Sequence, residues 1–145
     1  MSKKKLSQLL YSNTVDELEK YVVQSSDTSE LHVVSYNYNW SNGFDVPYAI
    51  INNPHCCLST ALQLFYLCDG YRFLVEKGDI DPTLEWYKYT ETLCNRILSG
   101  SFIDADIAFA IPLTKIQLAK LSKTLDESKQ VLITSIEGNE LAVDI

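Results

Sequence analysis

Apolar residues recur every three or four positions along most of this chain, which is the spacing of an amphipathic α-helix. Leu118, Leu121 and Leu125 give a clear example. The same spacing, bounded by polar residues, Gly or Pro, is repeated through the chain. It predicts helices over Lys3–Ser12, from Thr14 to Ser25-Ser26, from Asp27 to about Asn39, from about Val46 to Asn52, from Leu58 to Asp69, from Asp81-Pro82 to Gly100, and after Thr114.

Capping residues mark the starts of three of these helices. Thr14 is followed three positions later by Glu17, and Thr114 by Gln117. This is the pattern of a capping box, in which each side chain satisfies a backbone N–H left without a partner at the helix start. Asp27 begins a third segment with the same signal.

The segment from Leu58 to Asp69 is apolar on nearly every face, which predicts a central helix with neighbours on several sides. Gly70 is expected to end this helix as a C-cap. Tyr71–Val75, which follows, is short and apolar, so periodicity leaves both a strand and a further helical turn open.

The end of the chain has a different pattern. Residues 131–136 are rich in β-branched side chains, and Gly138-Asn139 is a plausible two-residue turn before Leu141–Val143. A small antiparallel β-hairpin is therefore predicted here, packed against helices. The fold class predicted for residues 1–145 is mainly α (α+β), a single compact multi-helix domain with a central buried helix and this C-terminal hairpin.

The composition fits a globular domain and indicates the charge of a partner. The chain has 145 residues, 46% apolar and 21% charged, and a formal net charge of −7. Nonspecific nucleic-acid binding depends on Lys and Arg that neutralise phosphates, so the acidic balance argues against it. The same balance favours a basic protein as partner.

The chain is expected to be soluble and cytoplasmic, with no membrane contact. Lys3–Lys5 resembles the charged start of a signal peptide, but Leu6–Asn13 is too polar for the apolar region that must follow. No apolar run reaches the roughly 18 residues needed to cross a bilayer.

Few residues have the spacing that a metal site or a catalytic site requires. The four cysteines and two histidines follow no zinc-ligand spacing, and no phosphate-binding or nucleophile-elbow motif is present. We therefore expect neither a metal nor a cofactor. His55 and Cys57 are the candidates for an alternative function, a small enzyme with a cleft near the neighbouring aromatic residues, because an imidazole can activate a thiol.

The segment from Tyr36 to Tyr48 is dense in aromatic residues interleaved with amide and acid side chains. Aromatic side chains are enriched at binding hot spots but also anchor cores. The residues chosen as a candidate partner-binding surface are Trp40, Phe44, Asp45 and Tyr48, together with the acids Asp16, Glu17 and Glu19. The lysines between Lys115 and Lys129 are typical of the polar face of an amphipathic helix, and a role in anion binding stays open.

The aromatic segment also carries a family resemblance. Tyr36–Pro47, then Asn53-Pro54, Cys57 and Thr60–Leu67, resemble a bacterial domain-of-unknown-function family numbered 4274, with the match extending from about Leu31 to Val75. The resemblance implies a bacterial origin and a compact helical domain. It transfers no catalytic residue, since the family has no established activity, but small acidic proteins of this kind resemble toxin-immunity proteins.

Three functions remain open from the sequence. The favoured one is a non-enzymatic protein-binding module, an immunity-type protein that neutralises a basic cognate toxin. The alternatives are the small enzyme with His55 and Cys57, and an oligomeric scaffold whose apolar surface is covered by another copy.

Overall fold

The computed structural model describes residues 2–145, and helices dominate the chain up to residue 98. Three short 3₁₀ segments, Trp40–Asn42, Lys77–Asp79 and Glu127–Ile133, accompany the α-helices. The prediction of a mainly helical fold is therefore confirmed. The α-helices are α1 (Lys3–Tyr11), α2 (Val15–Gln24), α3 (Thr28–Asn37), α4 (Asp45–Asn52), α5 (Leu58–Leu67), α6 (Gly70–Glu76), α7 (Glu85–Leu98) and α8 (Lys115–Thr124).

Helix α5 is the central helix that the sequence predicts. Every side chain from Ser59 to Phe65 is buried, and the helix packs against both α3 and α7. The polar side chains among them have partners; Ser59 Oγ, for example, donates to the carbonyl oxygen of Ile107 at 2.5 Å. Apolar side chains from Leu6 to Leu132 join around α5 in one connected core. None of the helices in residues 2–145 has the length and hydrophobicity needed to span a bilayer.

Side-chain caps begin several helices at the predicted positions. Thr114 and Gln117 form a complete capping box at the start of α8. The Thr14 hydroxyl accepts from the backbone N–H of Glu17, but the Glu17 carboxylate accepts from that hydroxyl and not from the backbone of Thr14. Asp27 accepts from the third N–H of α3.

The junction between α5 and α6 differs from the prediction. Asp69, not Gly70, has the left-handed conformation, with φ 65°, and its carboxylate accepts from the N–H of Arg72 as the cap of α6. Gly70 is the first residue of α6 and is required for a different reason: a Cβ atom there would lie 2.4 Å from the buried Phe65 ring. Tyr71–Val75, left open by the sequence, lies within α6 and is helical.

The start of α7 is also later than predicted. Asp81 caps a turn instead of the helix, because its Oδ1 accepts from the backbone N–H and the hydroxyl of Thr83. The helix begins at Glu85, and its end at Leu98 is followed by Gly100 in a left-handed conformation, φ 71°.

The prediction of a C-terminal β-hairpin is wrong, since residues 2–145 contain isolated β-bridges but no β-strand. Glu127–Ile133 is a 3₁₀ segment in which the successive side chains Leu132 and Ile133 are both buried. A strand with one buried face cannot do this, because its successive side chains point to opposite faces. Burial therefore overrides the β preference of this sequence.

The backbone that was expected to form the hairpin pairs elsewhere. Ile136 exchanges two hydrogen bonds with Phe109, at 2.8 and 2.9 Å, in an isolated antiparallel bridge. The N–H of Asn139 donates to Asp106, and its carbonyl oxygen accepts from Ala108. The turn residues at 138–139 therefore contact residues 106–108 and do not reverse the chain onto Leu141–Val143.

Candidate functional site

A shallow groove of about 270 Å³ lies between α2 and α4, the two helices with the most extensive mutual packing. Glu19 and Val23 of α2 line one side, and Asp45 and Tyr48 of α4 line the other. We call this the acidic groove, defined by Glu19, Val23, Asp45, Tyr48 and Asn52. Three of the seven residues predicted for partner binding, Glu19, Asp45 and Tyr48, therefore meet in one place.

The two carboxylates of the acidic groove, Asp45 and Glu19, both raise the pKa of the neighbouring Tyr38. Burial raises the pKa of the Tyr38 phenol to about 12, with further contributions from the charges of Asp45 and then Glu19. The Tyr38 hydroxyl donates to the carbonyl oxygen of Gly43 at 2.8 Å. Within residues 2–145, neither Glu19 nor Asp45 has a Lys or Arg within ion-pair distance. No cation within residues 2–145 therefore neutralises their negative charge.

The other predicted residues lie outside the groove. Trp40 and Phe44 are half-buried and pack on the fully buried Tyr89, with ring centroids 5.8 and 5.3 Å away. Glu17 is engaged at the N-cap of α2 by the Thr14 hydroxyl. Asp16 is exposed, and it lies one helical turn from Glu19, on the side of α2 that also carries Val23.

Tyr48 is the aromatic side chain that links the core to the groove. Its ring meets Tyr89 edge to face at a centroid distance of 4.9 Å, while the residue is only partly buried. The Tyr89 hydroxyl donates to the carbonyl oxygen of Pro47. The buried ring of Tyr89 therefore fixes the orientation of Tyr48 at the surface.

His55 and Cys57, the candidates for catalysis, have different partners. The Nδ1 atom of His55 lies 3.3 Å from Asn53 Oδ1, at an exposed position. Cys57 is fully buried, and its Sγ atom lies 3.3 Å from the hydroxyl of Thr60. Burial also raises the pKa of the adjacent Cys56 thiol well above its ordinary value, which favours the un-ionised form.

A buried polar chain that the sequence did not indicate connects Cys57 to the other histidine. Thr60 Oγ1 lies 2.9 Å from His32 Nδ1, and burial lowers the pKa of the His32 imidazole to about 4. Gln63 continues the chain, since its Nε2 donates to the His32 carbonyl at 2.9 Å and to Ser35 Oγ at 2.6 Å. These residues are far apart in sequence, so only the packing of α3 on α5 brings them together.

A second groove, of about 430 Å³, was also not predicted. Tyr36 of α3, Tyr66 of α5 and Tyr71 of α6 line it together with Phe109, and we call it the tyrosine groove. Its other lining residues are Gln63, Leu67, Asp69, Pro112, Leu113 and Gln117.

Lys115, Lys120, Lys123 and Lys129 are all exposed on or just after α8. Among residues 2–145, no three His, Cys, Asp or Glu side chains are grouped closely enough to hold a metal ion.

Comparison with known proteins identifies a family for this chain. A family model described as a domain of unknown function (DUF4274) matches residues 26–98, which run from just before α3 to the end of α7. No curated protein and no solved structure matches the chain. The matched region contains Asp45 and Tyr48 of the acidic groove, whereas Glu19 precedes it.

Proposed function

This chain belongs to the DUF4274 family, a domain of unknown function, and we propose that it is a non-enzymatic protein-binding module that takes a basic protein as its partner. The observation that carries the proposal is the acidic groove. Its two carboxylates are not neutralised by any cation of residues 2–145. Beside them lies the aromatic ring of Tyr48, which packs on the buried ring of Tyr89.

The groove has the features of a polar interface with an aromatic anchor. Tyr48 offers a large contact area at low entropic cost, because its ring is already oriented by Tyr89. Glu19 and Asp45 attract Lys and Arg side chains, which raises the association rate and disfavours acidic partners. The net charge of −7 acts in the same direction over longer distances.

The specific form we propose is an immunity-type protein that neutralises a basic toxin. Its partner's basic surface would cover the acidic groove, and the chain would act by occupying that surface without chemistry of its own. The buried position of Cys57 supports a binding role over a thiol nucleophile, since a catalytic thiol must reach its substrate.

The test is neutralisation of a cognate toxin followed by measurement of the association rate. Candidate toxins encoded next to this chain's gene are co-expressed with it, and growth rescue identifies the partner. The double variant Glu19→Gln/Asp45→Asn is then expected to associate about tenfold more slowly at low salt, because steering by these charges is lost.

A matched control removes the same number of charges elsewhere. Asp104→Asn/Glu127→Gln changes two exposed acids outside the groove and should alter the rate by about twofold or less. Equal slowing by both double variants would show that net charge, and not the acidic groove, attracts the partner. Absence of rescue by every neighbouring toxin would overturn the immunity role.

A further inference from the structure

The tyrosine groove combines aromatic faces with polar groups that have unused hydrogen-bonding capacity. Tyr66 and Phe109 lie nearly parallel, with an interplanar angle of 24° and centroids 6.4 Å apart. The Tyr66 hydroxyl donates to the carbonyl oxygen of Leu132 at 2.5 Å, which fixes the position of the ring. Tyr36, in contrast, is 44% exposed at the edge of the groove.

Gln63 is a nearly buried residue that lines both the tyrosine groove and the groove of His32, Ala108 and Leu141. The residue is only 6% exposed, and its Nε2 atom makes two hydrogen bonds, one of them to the carbonyl oxygen of His32, which can only accept. Within residues 2–145, the Oε1 atom of Gln63 accepts no hydrogen bond. Every side-chain oxygen that is fully enclosed in this part of the chain does have a partner, so Oε1 is not fully enclosed. The Oε1 atom therefore reaches the surface at one of these two openings, where it can accept a hydrogen bond.

In the part of the chain that the structure describes, the lining of the tyrosine groove has one carboxylate and no cationic side chain. Asp69 is exposed and contributes a carboxylate, and no Lys or Arg belongs to the lining. The nearest arginine in sequence, Arg72, is held elsewhere, because its Nε lies 3.0 Å from Glu76 and its guanidinium lies over the Trp86 ring. Aromatic faces carry partial negative charge, so they add to the attraction for a cation.

These features match a guanidinium group. Its flat, weakly hydrated surface stacks on aromatic rings, and its N–H groups need acceptors such as Gln63 Oε1 and the Asp69 carboxylate. The chain already holds one guanidinium in this way, since Arg72 is placed between a ring and a carboxylate. The volume of about 430 Å³ is within the usual range for a ligand site.

We propose that the tyrosine groove is a second contact site, which binds an arginine side chain of the partner protein. This inference deepens the proposed function, because it assigns an anchor residue to the basic partner at a place distinct from the acidic groove. The arginine stacks against the tyrosine rings, donates to Gln63 Oε1 and faces the Asp69 carboxylate.

The experiment titrates the protein with a short capped peptide, acetyl-Gly-Arg-Gly-amide, and follows the chemical shifts of assigned side chains by NMR. We expect saturable shifts at the Tyr36 and Tyr71 rings and at the Gln63 amide, with a dissociation constant of about 1 mM for so small a ligand. The same peptide with citrulline, which has the shape of arginine without its charge, should bind about tenfold more weakly.

Three variants separate the contributions of ring and charge. Tyr36→Leu removes an exposed aromatic face and should weaken binding about fivefold, whereas Tyr36→Phe retains the face and should leave binding unchanged. Asp69→Asn should weaken binding about threefold. Asn tolerates the left-handed conformation of this position and still caps α6, so this variant keeps the local structure.

Two results would overturn the inference. One is equal binding of the arginine and citrulline peptides; the other is a set of shifts confined to Glu19, Asp45 and Tyr48. The second result would leave the acidic groove as the basic partner's site and remove only the tyrosine groove. Conversely, groove binding of the peptide without toxin neutralisation would overturn the proposed immunity role and leave this site intact.

Discussion

The helical body, residues 2–98, and the carboxyl-terminal segment, residues 99–145, are stabilised in different ways. In the helical body, seven α-helices bury apolar side chains against each other around α5. The carboxyl-terminal segment contains one α-helix in its described structure and contributes few buried apolar side chains, namely Ile107, Leu121, Leu132 and Ile133.

Side chains of the helical body attach the carboxyl-terminal segment through its backbone. Three donors on α3 and α5 reach carbonyl oxygens: Ser59 to Ile107 at 2.5 Å, Tyr66 to Leu132 at 2.5 Å, and Asn37 to Val143 at 2.6 Å. Burial around α5 therefore stabilises the helical body, whereas the carboxyl-terminal segment combines a smaller buried surface, which includes Leu132 in the shared core, with individual hydrogen bonds from α3 and α5. We therefore expect that the segment can open locally without unfolding of the body.

The largest effect is expected for overpacking in the helical body. Gly70→Ala places a Cβ atom 2.4 Å from the Phe65 ring and 2.5 Å from its carbonyl oxygen. Since Phe65 is fully buried, the neighbouring helices must shift, and we expect a loss of about 3 kcal/mol in the free energy of unfolding. Urea denaturation monitored by circular dichroism measures it.

Gly78→Ala is the matched control for this prediction. Nothing lies within 4 Å of a Cβ atom at that position, so the change in stability should be about 0.5 kcal/mol or less. Similar losses in both variants would contradict the tight packing of α6 on Phe65.

A smaller effect is expected from the buried histidine where the two regions meet. His32 lies on α3 and lines a groove with Ala108 and Leu141 of the carboxyl-terminal segment, where Glu137 and Glu140 are the neighbouring acids. Burial lowers the pKa of His32 from 6.5 to about 4 in the folded protein. Between these pH values the unfolded chain binds a proton that the folded protein does not, so stability falls as pH falls.

The size of this effect follows from linkage. Between pH 7 and pH 5, His32 should cost about 2 kcal/mol of stability, measured as the shift in urea midpoint. His32→Gln cannot titrate and should lose that much less over the same interval. His55→Gln, at an exposed position, is the control; if it changed the pH dependence as much as His32→Gln, the assignment to His32 would be wrong.

The smallest effect is expected from one attachment of the carboxyl-terminal segment. Tyr66→Phe removes the donor to Leu132 but keeps the ring against Phe65 and Phe109. We expect a loss of about 1 kcal/mol, together with faster amide hydrogen exchange in residues 127–136 and little change in α5. The control is Tyr71→Phe, because the Tyr71 hydroxyl has no partner within residues 2–145. This variant should leave amide hydrogen exchange unchanged.

Uniform acceleration of exchange across both regions in Tyr66→Phe would contradict this prediction. It would show that the carboxyl-terminal segment and the helical body open together.

Local sequence signals predicted most of the helical body. Periodicity identified α1 to α5, and Thr14 placed the start of α2 correctly. Thr114 did the same for α8, the one α-helix of the carboxyl-terminal segment. The predicted helix ends are wrong where the same residue type can serve two structural roles. Gly70 is a residue type typical of a C-cap but provides space beside Phe65, and Asp81 is a residue type typical of a helix start but caps a turn.

The carboxyl-terminal segment and the grooves depend on long-range contacts that spacing does not record. The β-branched residues of 131–136 favour a strand, yet the burial of Leu132 beside Ile133 produces a 3₁₀ segment. Glu19, Asp45 and Tyr48 were each predicted as candidates, but only the packing of α2 on α4 brings them together. The tyrosine groove could not be predicted, because its rings come from α3, α5, α6 and residue 109.

The attachment of the carboxyl-terminal segment has a consequence for sequence variation. Its acceptors at Ile107, Leu132 and Val143 are carbonyl oxygens, which every amino acid provides. Side chains of residues 99–145 that neither pack on the core nor cap an element, such as Pro112 and Leu113, can therefore be exchanged while the same donors keep holding the chain. Evolution could diversify one wall of the tyrosine groove in this way without redesigning the helices beneath it.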